Sequence, residues 1–252
     1  MQRLFILIAA LLLSAAAQAS PLDDCRDQIR YGAPGQSGIL LCRQGYLLDY
    51  NAARKTPDWV GYHLTPAKVH GTARRSNDFR PDPDLPIGQR AELADYKGSG
   101  YDRGHMAPAA AMRWSAQAMS ESFLLSNMAP QVGAGMNRGI WKLLEEKVRD
   151  WVDSRGELYV VTGNIYTSPN PKTIGPDRVA VPDACYKVIF DPARMDAIAF
   201  IIPNRSEKNS DLPKFVTSVD EVEKATGLHF LSGLDPAVAA PIKSRIDPLW
   251  AH

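Results

Sequence analysis

Between residues 138 and 154, Trp141, Leu144, Val148, Trp151 and Val152 recur at helical spacing, and Gly156 is placed to end the run. A helix carrying two tryptophans on one stripe must bury that stripe, so the chain has to supply a core to receive it. At about 100° per residue, Trp141 lies about 40° and Glu145 about 80° from Asn137. An amide and a carboxylate therefore border the face meant for the interior, where polar groups need partners.

The other elements mix strands and helices without regular alternation. Residues 45–50 and 58–64 carry β-formers around a polar turn and read as a hairpin. Residues 157–166, 184–190 and 197–202 read as three further strands, the last two joined by 191–196. Residues 218–226 read as a helix capped by Ser218 or Asp220 and ended by Gly227, with an extended pattern resuming over 228–231. Stretches rich in Pro, Gly and charge at 76–90, 167–182 and 203–213 read as surface loops. The class is α+β, with a mainly antiparallel central sheet flanked by helices.

Residues 1–19 have one basic residue, Arg3, an apolar run from Leu4 to Leu13 and a small-residue close at Ala17-Gln18-Ala19, the three-part form of a cleaved secretory signal. Cleavage there predicts a periplasmic or secreted protein, not membrane-bound, with residues 20–252 forming one domain. The net charge of +1 becomes formally zero without Arg3, so an overall basic footprint is absent. Attraction to phosphates must come from local groups such as Lys68, His70, Arg74, Arg75 and Arg80, with Arg103, Arg113 and Arg138. A Cys25–Cys42 bridge would close a short loop, contributing about 3 kcal/mol, and leave Cys185 as a buried thiol in a strand. The pairing itself stays open.

Residues 101–106, Tyr-Asp-Arg-Gly-His-Met, set His105 two positions after Arg103, with Asn127, Asn137 and Glu145 following. A neutral base, a fixed cation and amide oxygens together are what metal-assisted phosphodiester cleavage needs. Taken singly, the residues have plainer readings. Asn137 reads as a helix cap, Glu145 as the ion-pair partner of Arg149, and Asn127 as a turn residue before Pro130. His63, His70, His229 and His252 sit in no constellation.

Asp102-Arg103-Gly104-His105, then Ser126-Asn127-Met128-Ala129-Pro130-Gln131, then Asn137-Arg138-Gly139-Ile140-Trp141 with Glu145, resembles the DNA/RNA non-specific endonucleases. Asp58-Trp59-Val60, Val160-Val161-Thr162-Gly163, Tyr186-Lys187-Val188-Ile189-Phe190 and the run from Val219 to Leu228 extend the resemblance over roughly residues 45–235. It implies a ββα-metal element, with His105 as general base and Asn137 as direct ligand of a magnesium ion, for which manganese can substitute. It further implies that Arg103 meets the scissile phosphate, that Glu145 reaches the ion through water, and that Asn127 shapes and polarises the site. A substrate-binding arginine of the family falls on Arg74 or Arg75, with Arg138 as a further contact. DNA and RNA are the implied substrates, and the products carry 5′ phosphates. The rival readings are a non-catalytic nucleic-acid binding or uptake protein, disfavoured by the zero charge, and a phosphoesterase for small phosphodiesters, for which clustered carboxylates are missing. The sequence leaves open the oligomeric state and any inhibitor protein.

Overall fold

A computed structural model describes residues 25–251; the predicted signal segment lies outside the described residues. Eleven strands are present among them. They are β1 (Ile39–Cys42), β2 (Leu47–Asn51), β3 (Thr56–Leu64), β4 (Tyr101–His105), β5 (Met128–Val132), β6 (Leu158–Ile165), β7 (Thr173–Ile174), β8 (Val179–Ala180), β9 (Ala184–Asp191), β10 (Asp196–Pro203) and β11 (Val216–Thr217). The three longest α-helices among the described residues are α1 (Lys142–Arg155), α2 (Val219–Thr226) and α3 (Pro236–Ser244). Seven strands form one sheet in the order β1-β2-β3-β6-β9-β10-β11. Every neighbouring pair in it is antiparallel.

Alternation along the strands divides the core into two layers. In β9, Cys185 and Ile189 face one layer, which receives Leu144, Val148, Trp151 and Val152 of α1. Tyr186, Val188 and Phe190 face the other, which receives Val219 and Val222 of α2 and Ala239 and Ile242 of α3. The helical stripe thus packs on the sheet centre. The β2–β3 hairpin forms because Asn51 Oδ1 accepts from Arg54 N at 3.1 Å across the turn. The β9–β10 turn is closed by Asp191, whose buried carboxylate accepts from Arg194 N at 3.0 Å and pairs with Arg155 at 2.8 Å.

Ser218 caps α2 by accepting from Glu221 N at 3.1 Å, and Gly227 ends it at φ +74. Cys25 and Cys42 are bridged, tying the start of the described chain to the edge strand β1. Cys185 is free and buried, and burial pushes its thiol up to about 12.

Two expectations are corrected. The first helix begins at Lys142 rather than 138, because residues Gly133–Trp141 form a wide π-type turn with non-helical backbone at Ala134, Gly135 and Gly139. The segment 228–231 forms no strand. Phe230 and Leu231 drop into the second core layer while Phe230 N donates to Glu223 Oε1 at 2.7 Å, so the apolar run is buried without a strand partner.

Candidate active site

Strand β4 pairs with β5 antiparallel in the register Tyr101↔Val132 to His105↔Met128, and the Gly133–Trp141 turn then leads into α1. Two strands and a helix therefore carry the predicted residues. Gly104 is required by packing: a Cβ there would collide with the Gln131 side chain from β5. Gly135 is required by conformation, with φ +81 and Ser206 lying where a Cβ would project.

Asp102 organises the turn. Its Oδ2 accepts from Asn137 Nδ2 at 2.9 Å, and its Oδ1 accepts from Arg138 at 3.0 Å. With its amide nitrogen so engaged, Asn137 keeps its carbonyl oxygen as an acceptor. Asn204, on the strand-to-loop exit of β10, fixes the other end. It accepts from Val132 N and donates to Pro130 O and Pro182 O, all at 2.9 Å.

His105 ends β4 with its ring 5.0 Å from Phe123 and 5.6 Å from Phe79, centroid to centroid. Its Nε2 is buried and has no partner. Burial first, then Arg75 and Arg103, bring its pKa down to about 3, so the imidazole is neutral near pH 7. Arg103 lies 4.0 Å over the ring of Phe79 and Arg75 4.7 Å over that of Phe123, so the two aromatics that enclose His105 also seat two cations.

His105, Arg103, Arg75, Asn137, Arg138 and Glu145 line one cleft of about 610 Å³, joined by Lys97, Lys142, Arg149 and Asp102. Six cationic side chains meet two carboxylates there, which makes the cleft locally basic on a nearly neutral chain. Glu145, in the first turn of α1, is pushed up by burial, while Lys187, Arg149 and Arg75 pull it down. Arg149 Nη1 and Tyr96 Oη, also from residues that line the cleft, are likewise buried polar atoms without a partner.

The structure sorts the remaining candidates by position. Asn127 is fully buried and does not line the cleft; its amide exchanges bonds with Ala107 N and Ala107 O and donates to Ser122 O, each at 2.9 Å. It clamps the chain leaving His105. Arg74 is exposed outside the cleft, whereas Arg75 lines it. Of the other expected phosphate-attracting groups, Lys68 pairs with Asp27, His70 with Asp153 and Arg80 with Asp78, all away from the cleft lining. Sequence reasoning missed Lys97, Lys142, Phe79 and the buried Lys187. Positive charge was the signal for Lys97 and Lys142, and a lysine inside the apolar run 184–190 was the signal for Lys187.

An amide oxygen and a carboxylate facing one basic cleft, next to an orphaned imidazole nitrogen, fit a hard divalent cation that keeps most of its waters. Among the described residues there is no group of three or more His, Cys, Asp or Glu side chains that could hold a metal.

The family model for DNA/RNA non-specific endonuclease matches residues 26–237. The chain is 38% identical to Nuclease C1 of Cunninghamella echinulata var. echinulata over 82% of this chain and 88% of that protein. It is 36% identical to human mitochondrial endonuclease G over 81% of this chain and 73% of that one. A crystal structure of the EndoG/EndoGI complex, on the mechanism of EndoG inhibition, superposes with a TM-score of 0.80 at 33% identity, covering 87% of this chain and 95% of that one.

These relatives overturn the expected periplasmic or secreted location. The similar nucleases of Saccharomyces cerevisiae and Schizosaccharomyces pombe, and endonuclease G of human and Caenorhabditis elegans, are mitochondrial by name. The residues that suggested export lie outside the described chain, and the fold and cleft carry no address. The fold, the cleft and the match over most of its length agree: the chain belongs to the DNA/RNA non-specific endonuclease family.

Proposed function

We propose that this cleft hydrolyses phosphodiester bonds of DNA and RNA with His105 as general base, one magnesium ion held by Asn137 and, through water, by Glu145, and 5′-phosphate products. Residues 20–252 serve as one nuclease domain in this reading. The observation that carries it is the neutral His105 ring, which lines the same cleft as Asn137, Glu145 and six cations.

Arg75 and Arg103 receive the scissile phosphate, and their planar forks fix its orientation. Water positioned beside His105 loses a proton to the imidazole as its oxygen attacks phosphorus, and the bond from phosphorus to the 3′ oxygen breaks. Burial and two arginines oppose charging of the imidazole in the free protein. An entering phosphate brings the negative charge that offsets them. Asn137 and, through water, Glu145 would hold a magnesium ion, whose positive charge would offset the charge that develops at the phosphate. Asp102 holds Asn137 and Arg138 in register for that task. Contacts confined to the backbone explain why DNA and RNA both serve as substrates.

Purified protein incubated with plasmid, RNA and a small phosphodiester, with magnesium or chelator, tests the reading. Cleavage of both nucleic acids only with metal is expected, and His105→Ala is expected to lower it by about 10²-fold or more with folding intact. Near-normal plasmid digestion by His105→Ala, or turnover of the small phosphodiester alone, would refute it.

A further inference from the structure

Along β4, alternation turns Tyr101, Arg103 and His105 to one face, and all three line the cleft. Arg103 and His105 belong to the reaction described above, whereas Tyr101 has no part in it. At about 3.4 Å per residue, Tyr101 stands about 7 Å along the strand from Arg103. That reach extends the cleft past the scissile phosphate toward its neighbour on the same nucleic-acid chain.

The Tyr101 ring packs against the cluster that holds Tyr96, Ile174 and Val179, and its hydroxyl accepts from Lys172 Nζ at 3.1 Å in an exposed bond. With its oxygen accepting, the hydroxyl keeps its own proton to donate. Lys172 is held there by the fold. It immediately precedes β7, and its backbone oxygen accepts from Val181 N at 2.8 Å beside the β7–β8 hairpin. That hairpin docks on the short helix Leu93–Tyr96: the buried Asp95 carboxylate accepts from Glu92 N and Asp177 N, both at 2.8 Å, and a Cβ at Gly175 would strike Asp95. The same helix leads into Lys97, and Ser99 Oγ folds the chain back to β4 by accepting from Tyr101 N at 3.1 Å.

Two segments far apart in sequence thus bring Lys172 onto Tyr101 and Lys97 into the same cleft. Among the described residues neither lysine pairs with a carboxylate, whereas Arg138 pairs with Asp102 and Lys142 with Glu146. Two ammonium groups and a hydroxyl proton are therefore left without an anion to receive them.

We propose that Tyr101 Oη, Lys97 and Lys172 form a second phosphate subsite, which takes the phosphate next to the scissile one and makes a chain of linkages a better substrate than an isolated phosphodiester. Its effect on turnover rests on the nuclease reading above, whereas its affinity for the chain does not. A backbone contact of this kind reads charge and spacing, not base identity.

Trinucleotides separate the subsite from the reacting centre. In one the first linkage is a neutral methylphosphonate, in another the second, and the reference has two natural linkages whose cuts are resolved by their products. With metal, the wild-type protein is expected to lose about tenfold in kcat/KM at one of the two linkages when its neighbour is neutral, the size of one charge-assisted hydrogen bond. A variant combining Lys97→Ala, Tyr101→Phe and Lys172→Ala is expected to be about tenfold slower at that linkage of the natural trinucleotide, and to lose no more than about twofold further on neutralisation. Both lysines are exposed and the ring is kept, so the apolar contacts of the fold are retained.

Indifference of the wild type to a neutral neighbour on either side, or undiminished sensitivity in the variant, would overturn the proposal. Binding in chelator, read by anisotropy of a labelled single-stranded oligonucleotide, gives a second measurement. There the combined variant is expected to lower the slope of log affinity against log salt by about 1, and an unchanged slope would likewise overturn it. If the wild-type protein cuts no nucleic acid, the nuclease reading fails while the salt slope still reports on the subsite.

Discussion

The two arginines at 74 and 75 are chemically identical and adjacent, yet only Arg75 lines the cleft and stacks over Phe123. Arg75→Ala is expected to lower kcat/KM on plasmid by about 10²-fold and Arg74→Ala by no more than about twofold. Equal losses in a steady-state assay would reject the placement. His105 also leaves a signature in pH. Its pKa in the folded protein, about 3, lies below the ordinary value of about 6.5, so the unfolded chain binds more protons between those limits. The stability owed to the neutral ring is complete above about pH 6.5 and is lost as pH falls toward 3. Denaturant unfolding between pH 7 and 4.5 should therefore show a shallower decline in His105→Gln than in wild type, and parallel declines would contradict the buried neutral state. His105, Asn137 and Glu145 were legible in the sequence because a short motif and a helical stripe mark them. Arg75 was not separable from Arg74, because one step along an exposed chain decides which side chain reaches Phe123.

At the scale of elements, the site is a strand pair followed by an irregular turn and a helix, and the turn is where sequence periodicity failed. The helical stripe is real from Leu144 onward, but Gly135 and Gly139 break the regular backbone before Lys142. That break lets Asn137 turn toward Asp102 instead of continuing the helix. Gly135→Ala is expected to cost about 1 to 3 kcal/mol, since it must adopt φ +81 against Ser206, and to reduce turnover more than stability because Asn137 moves with the turn. Unchanged kcat at a lowered denaturation midpoint would show that the turn is not coupled to the reaction. Asn127 follows the same logic from the other side of His105. Its side-chain amide is saturated by backbone atoms of the loop 106–127, so it acts on the site by holding that loop.

For the whole molecule, near-zero net charge and a basic cleft coexist because carboxylates are concentrated outside the cleft, where they pair with cations such as Lys68, Arg80 and Arg155. Nucleic-acid affinity should accordingly be salt-dependent despite the balanced composition. In a His105→Ala background, adding Lys142→Ala is expected to reduce the slope of log affinity against log salt by about 1, whereas removing Lys68, which lies outside the cleft, should leave it unchanged. Fluorescence anisotropy with labelled oligonucleotide reads both. By itself the sequence determined the α+β class, three central strands and the helix over the sheet, because local periodicity encodes them, while the ββα element was implied by the likeness of short motifs to a known family. Tertiary structure alone decided which arginine enters the cleft, that Asn127 clamps a loop, and that Lys187 of β9 lies beneath Trp141. Those outcomes depend on residues tens of positions apart meeting across strands and layers, and no local pattern records such meetings.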